Sequence, residues 1–394
     1  MPGDTSPAPI LIAGGGIGGL TAAVALRRAG FAVEIFERAP EIREVGAGIA
    51  IQPNAVLALR RIGLDRAVTE VSCVEEALHL WTAGGDLLAC LRPREIAPDA
   101  AFLSLHRATL QRVLLAALGS GGVHTGCECV GFEARPDGVT LILRDGRRIA
   151  GAVLVGADGV HSRMREELLG DGEPGYAGYT AWRAVTPEGF APRPAGSSET
   201  WGRGHRFGIV PIEHGRIYWY ATSNAPPGGH DQPGALHDSL LRTFGSWHSP
   251  IRELIAATPE SAILRTDIFH RHPSRRWGRG RVTLLGDAAH PLTPNLGQGA
   301  CLAIEDGVVL ADCLRAIPDP AAALRRYEAL RRRRTAGIAL RAYHLGWIGQ
   351  WESAAAYRLR DRMVAWTPGV FNRLQMRRLF RFTSFTNTLP PAED

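Results

Sequence analysis

Apolar positions in "PILIAGGGIGGLTAAVALRRAGFAVEIFER" change their period twice. Ile10 and Ile12 start a buried strand, Leu20, Val24 and Leu26 then recur at helical spacing, Gly30 ends the helix, and "AVEIF" predicts a second strand. Further on, "HRATLQRVLLAAL" (His106 to Leu118) predicts an amphipathic helix. "GVTLILRDGRRIAGAVLVGADG" predicts two short strands around a hairpin, then an apolar strand ending on Asp158 and Gly159. From about Gly175 to Arg275 the texture changes: "YTAWRAV", "HRFGIVPI" and "RIYWYAT" are short β-like runs broken by Gly and Pro, as in an antiparallel sheet. "GRVTLLGDAAH" returns to an apolar strand, "GACLAIEDGVVLADCLRAI" is a helix, and the remainder to Phe380 is mostly helical and rich in arginine. The expected fold class is α/β. A discontinuous Rossmann-like domain (1–75, 101–174 and 276–335) surrounds an inserted antiparallel-sheet domain (76–100 and 175–275), and a helical region (336–394) follows.

Two glycine-rich loops punctuate this pattern. In the first, Gly14, Gly16 and Gly19 form G-x-G-x-x-G, with Ile17 and Gly18 inside it. The three glycines suit a tight turn, close backbone approach to a pyrophosphate, and close packing of helix on strand. The following helix N-terminus offers free N–H groups to that anion. Glu37 ends the second strand, where a carboxylate can accept hydrogen bonds from ribose hydroxyls. This setting makes a dinucleotide site a strong expectation. The second loop, "GDAAHPLTPNLGQG" from Gly286, carries Asp287 at the end of an apolar strand. Gly297 and Gly299 follow, just before a helix that begins near Ala300.

Composition narrows the chemistry. The 394 residues suggest two closely joined domains, and no apolar run reaches the ~18 residues of a membrane span. The opening "MPGDTSPAP" reads as a short disordered leader, and the cytoplasm is the expected location. Six scattered cysteines complete no zinc pattern, so no metal is expected. The net charge is +6, and all 45 basic residues are arginines. With no lysine, P-loop and Schiff-base chemistry are excluded. The densest cluster, Arg331 to Arg334, has helical spacing and is expected to be a solvated helix face rather than a nucleic-acid site.

Three motifs stand in order: "GGGIGG" at Gly14, "GADGVHSRMR" at Gly156 and "GDAAHPLTPNLGQG" at Gly286. Together they resemble the single-component FAD-dependent aromatic hydroxylases, flavin monooxygenases of the p-hydroxybenzoate hydroxylase fold, and most of all the salicylate-hydroxylase-like branch. The resemblance spans about Ile10 to Thr335. It implies one long cofactor, FAD, gripped by both glycine loops. On this resemblance Asp287 binds the ribityl chain, and Gly297, Gly299 and Ala300 lie at the pyrimidine edge of the flavin. Asp158, in D-G-x-x-S-x-x-R with Ser162 and Arg165, serves FAD and the nicotinamide pyrophosphate, and Arg107 meets the FAD pyrophosphate. Arg38, Gly48 and, as a backbone contact to adenine, Val130 complete the cofactor set.

The same resemblance implies hydroxylation of a phenolic or aromatic-acid substrate by NAD(P)H and O2 through a flavin C4a-hydroperoxide, with NADH or NADPH bound only transiently. Pro294 matches a proline whose carbonyl approaches the substrate, and Gln298 lies where its loop could touch it. Arg183 and Arg206 alternate with apolar neighbours, so either can point inward and pair with an aromatic carboxylate. Tyr218 and Tyr220 are candidate walls. The expected enzyme is a monomer or homodimer. A flavin halogenase is set aside, for want of a lysine and a W-x-W-x-I-P segment. A plain NAD dehydrogenase would leave Asp158 and Asp287 idle. An FAD-dependent epoxidase or reductase acting on an isoprenoid or polyketide-like substrate, and a non-catalytic FAD-binding protein, stay open.

Overall fold

A computed structural model of the chain describes residues 8–42, 47–190, 194 and 196–382. The leader at 1–7 lies outside the described residues. The larger apolar core surrounds a six-stranded sheet ordered Gly278–Arg279, Val282–Leu284, Val153–Gly156, Ile10–Ala13, Val33–Phe36 and Val123–His124. All its pairings are parallel except the first. Registers align Ala13 with both Phe36 and Gly156, and Gly156 with Leu284. The residues that leave these strands, Gly14, Glu37, Ala157 and Leu285, therefore emerge along one edge. In open α/β sheets that edge is where ligands bind. Helix Ile17–Arg28 packs on helix Gly299–Ala316. Gly307 permits the approach, because a Cβ there would lie 2.8 Å from the Ala22 amide nitrogen.

The second sheet has seven strands, ordered Leu264–His270, Gly175–Val185, Ile217–Asn224, His205–Pro211, Ser197–Trp201, Leu78–Thr82 and Leu87–Leu91. It is antiparallel except where Ser197–Trp201 meets Leu78–Thr82. One face packs beneath helices Leu236–Phe244 and Ile251–Ala257 through Phe207, Ile209, Ile217 and Trp219. These two helices stand within the stretch whose texture reads as sheet alone. Their Leu240, Phe244, Leu254 and Ile255 supply the apolar cover that one face of an antiparallel sheet needs. Buried Trp219 stacks on Phe207 at 5.4 Å and donates its indole N–H to Thr258 Oγ1 at 2.9 Å. A small sheet of Gly48–Ile51, Leu103–His106 and Cys73–Val74, which the pattern does not predict, bridges the two units.

The Arg331–Arg334 run departs from the solvated face expected of it. Arg331, in helix Pro320–Gly349, is 2% exposed and reaches Glu305 and Asp306, both fully buried in helix Gly299–Ala316. Arg334 pairs with the other side of Glu305 at 2.7 Å. Two adjacent carboxylates inside an apolar helix need cations, because an uncompensated buried charge is expensive. Arg333 alone of the four is exposed. Helices Ala354–Trp366 and Gly369–Phe380 are the last among the described residues, of which no helix is long and apolar enough to cross a membrane.

Candidate cofactor and substrate site

Gly14 has φ +108°, and a Cβ there would overlap the carbonyl of Ala157. A Cβ at Gly19 would overlap the carbonyl of Gly14, so the helix could not close on the strand. Gly16 faces open space. Gly18 works differently from a ligand contact: a Cβ would press within 2.8 Å of the Leu285 side chain and 3.1 Å of Ala303. The Ile17 side chain is buried in the core, which leaves only its backbone to the cleft. Glu37 accepts the Gly15 amide at 2.7 Å and the Ala39 amide at 2.9 Å, fixing the turn.

Between the turn and its neighbours runs a cleft of about 190 Å³, lined among others by Gly16, Glu37, Arg38, Glu128, Asp158 and Arg163. Val130 sits one residue beyond Cys129, the last of its strand to line the cleft. Asp158 accepts the Ser162 hydroxyl at 2.5 Å and the Met164 amide at 3.1 Å. Burial raises its pKa in spite of these hydrogen bonds. Arg165 in the same motif faces away from the cleft. It is 1% exposed, pairs with Asp171, and donates to the carbonyls of Ala288 and Ala289 at 3.0 and 2.9 Å. The middle motif thereby holds the third one in place.

In that third motif, strand Val282–Leu284 ends in a short turn, Gly286–Ala288, that leaves Asp287 exposed. Crowding by protein raises the Asp287 pKa, opposed by the charges of His290 and Arg107. Arg107, exposed at the start of helix Arg107–Leu118, thus lies near enough to Asp287 for its charge to act there. The turn is anchored by Asp306, whose carboxylate accepts the Gly286 amide at 3.1 Å and meets His290 Nε2 at 2.6 Å. Next, Pro294–Leu296 makes a tight turn and Gly297 takes φ +61°, with Pro294 and Gly297 both exposed. Helix Gly299–Ala316 begins there. The first-turn amides of such a helix lack intrahelical acceptors and carry partial positive charge. Gly299 is positioned so that a Cβ would lie 3.8 Å from the Asp287 carboxylate.

Gln298 is a correction. It is fully buried, with its amide bonded to Gln52 at 2.5 Å and Asn54 at 3.0 Å, so its side chain points into the interior and not toward a substrate. Asn54 also donates to Glu305 at 2.6 Å, which joins Gln298 to the buried ion cluster.

On the second sheet, register puts Arg183 opposite Tyr220, Tyr220 opposite Gly208, and Arg206 opposite Thr222. Arg183, Arg206, Tyr218 and Tyr220 therefore share the face opposite the two covering helices. That face meets the Pro294–Gly297 loop, where Tyr179 donates to Asn295 Oδ1 at 3.2 Å, and strand Gly48–Ile51, where a Cβ on Gly48 would lie 2.5 Å from Tyr218. The two arginines differ. Arg206 is 2% exposed and reaches Gln350 at 2.8 Å, Glu199 at 3.1 Å and Asn295 at 2.6 Å. Its guanidinium braces the sheet, the loop and the C-terminal helices, so it is not free for the carboxylate clamp. Arg183 is only half-buried and interacts with the Tyr218 hydroxyl, whose pKa is raised by burial against the pull of that cation. Tyr220 is pushed well up by burial and by nearby Glu199.

Sequence reasoning missed Asn295, Gln350, Glu199, Gln52 and Asn54, polar side chains in mixed segments with no periodic signal. It also missed Glu305 and Asp306, although adjacent acids inside the apolar run "ACLAIEDGVVLA" were a legible sign of a buried ion cluster.

The residues present fit a dinucleotide with a long tail: a Cβ-free turn, a cleft beside it, and a second helix N-terminus beyond Asp287. A family model described as FAD binding domain matches residues 7–342. The aurachin C monooxygenase/isomerase of Stigmatella aurantiaca is 47% identical over 357 residues, covering 90% of this chain and 93% of that protein. Zeaxanthin epoxidase of Solanum lycopersicum is 38% identical across 84% of this chain, which spans 53% of that longer protein. HpxO of Klebsiella pneumoniae, solved with FAD and uric acid, superposes with a TM-score of 0.87 at 31% identity, covering 94% of this chain and 96% of that one. With matches this broad, the chain belongs to the FAD binding domain family of flavoprotein monooxygenases, the group its three ordered motifs resemble.

Proposed function

We propose that this protein uses NADH or NADPH and O2 to hydroxylate an aromatic ring, and that Arg183, Tyr218 and Tyr220 receive the ring. The observation that carries this reading is the sheet face bearing those three side chains, set against the loop that exposes Pro294 and Gly297. FAD, when bound, accepts hydride from the nicotinamide and activates O2. The chain's own residues do the rest. The turn shaped by Gly14, Gly16 and Gly19 admits the pyrophosphate, where Arg107 and Asp158 also stand, and Glu37 and Arg38 hold the adenosine end. Asp287 reaches the ribityl chain. Amides near Gly297, Gly299 and Ala300 favour negative charge at the flavin's pyrimidine edge, by roughly 0.3–2 kcal/mol for a helix N-terminus. Arg183 orients an anionic or phenolic substrate, while Tyr218 and Tyr220 fill the wall and exclude water.

The relatives support an aromatic reading through the uric acid complex of HpxO. A second reading, epoxidation of an isoprenoid olefin, draws on the identity to zeaxanthin epoxidase. Anaerobic bleaching of the bound flavin by NADH and NADPH separates them. The panel contains phenols, aromatic acids and nitrogen heterocycles, each added singly. Hydroxylation predicts that one aromatic class accelerates bleaching. Bleaching that no aromatic alters turns the assignment toward the epoxidase, and none at all removes the single-component monooxygenase.

A further inference from the structure

Helices Ala354–Trp366 and Gly369–Phe380 bury one face and leave the other uncovered. On the first, Leu359, Met363 and Trp366 are 55, 59 and 80% exposed; on the second, Val370 and Leu374 are 67 and 51% exposed. The spacings 359, 363, 366 and 370, 374 place each set on one side of its helix. The edge strand Leu87–Leu91 packs beside the first helix and adds Leu87, itself 51% exposed. Scattered apolar residues on a surface need no explanation, but here five strongly exposed ones fall within sixteen residues on two successive helices.

Charge identifies what covers it. Arg358 and Arg362 border the first apolar stripe one turn apart, and Arg373 and Arg377 border the second in the same way. Arg378 and Arg381 follow. The only acid between 354 and 381 is Asp361, which is taken by buried Arg360 at 2.8 Å. The six exposed-side arginines form no ion pair with any described residue. A second copy of this chain would bring six more arginines against these six, and like charges across an interface oppose association. An anionic bilayer surface complements both features. Apolar side chains enter the acyl boundary, tryptophan sits at headgroup level, and arginines meet lipid phosphates.

We propose that helices Ala354–Trp366 and Gly369–Phe380 form an interfacial surface that docks the folded enzyme on anionic membranes without spanning them. The inference does not depend on the substrate assignment. Leu379 and Phe380, on the buried side of the second helix, share an apolar cluster with Leu292 and Leu296 of the flavin-side loop. The second helix is thereby packed into the same apolar cluster as that loop.

The test is flotation of the full-length, FAD-loaded protein with phosphatidylcholine vesicles, with and without about 30 mol% phosphatidylglycerol. We expect at least about tenfold more protein on the anionic vesicles at low salt, falling as salt is raised. The double variant Trp366→Ser/Leu374→Ser and the double variant Arg358→Gln/Arg373→Gln should each lose most of that binding. Both should keep the flavin spectrum and melting temperature of the wild type, which shows that they fold. Failure of the wild type to float overturns the proposal. So does equal binding to neutral vesicles, undiminished flotation of the Trp366→Ser/Leu374→Ser variant, or a concentration-dependent dimer that this variant abolishes.

Discussion

Arg183 and Arg206 lie on the same face of one sheet, two strands apart, and burial gives them different work. Arg206 is braced by Glu199, Asn295 and Gln350, whereas Arg183 keeps a half-open guanidinium beside Tyr218. Replacing Arg183 by Met should raise the apparent KM for an anionic or phenolic substrate by about tenfold or more, from loss of a charge-assisted hydrogen bond. The melting temperature should hardly move. Arg206→Met should do the opposite. It strands Glu199 beside a buried sheet face and should cost about 3 kcal/mol in urea unfolding. Steady-state kinetics and denaturation of both variants check the division; a common KM effect with no stability difference would refute it. The sequence made both residues visible as arginines among apolar neighbours. It could not separate them, because Arg206's partners lie 7, 89 and 144 residues away.

Helix Gly299–Ala316 carries both the candidate flavin-facing N-terminus and the acidic pair that fixes it. Burial works to raise the Asp306 pKa, but His290 and Arg331 outweigh it and hold the carboxyl at about 2. Glu305 is likewise held low, against its burial, by Arg331 and Arg334. Both acids therefore titrate below their unfolded values of about 4. The resulting stabilisation is complete above about pH 5 and is lost as pH falls through 4 toward 2. Arg331→Met should destabilise the protein by about 3–5 kcal/mol near neutrality, since it leaves two buried carboxylates short of a partner. It should also flatten the loss of stability on acidification. Urea midpoints measured at pH 7 and at pH 4 report both effects; a variant with the wild-type midpoint at each pH would contradict the assignment. At this scale the helix itself was legible from its apolar run. Its ion cluster was read as a solvated arginine face, because spacing reveals a helix's period and not which side another helix will cover.

For the whole molecule, the three motifs in order were enough to identify the family, since each follows a strand of one parallel sheet and the register brings them to one edge. The covering helices of the second sheet were hidden in Gly- and Pro-broken text, where short helices leave little periodic signal. A ligand that joins both glycine loops should bind only the folded chain. Saturating FAD should therefore raise the melting temperature of the apo-protein with ligand concentration, corresponding to about 2.7 kcal/mol at a hundredfold excess over Kd. A melting temperature independent of FAD would remove the two-ended grip.

The position of strand Ile10–Ala13 also sets an order of events during synthesis. It lies in the middle of its sheet, with Val33–Phe36 on one side and Val153–Gly156 on the other. Val33–Phe36 leaves the ribosome soon after it, Val153–Gly156 much later, and the strand that delivers Asp287 later still. Contacts of such long sequence separation form slowly, because loop-closure entropy is met before they give any return. The nascent glycine turn thus waits, its apolar strand half-paired, until most of the polypeptide has been made. On this topology a cofactor that joins both glycine loops should load only after the sheet has closed, as a closing step and not as a nucleus around which the chain is built.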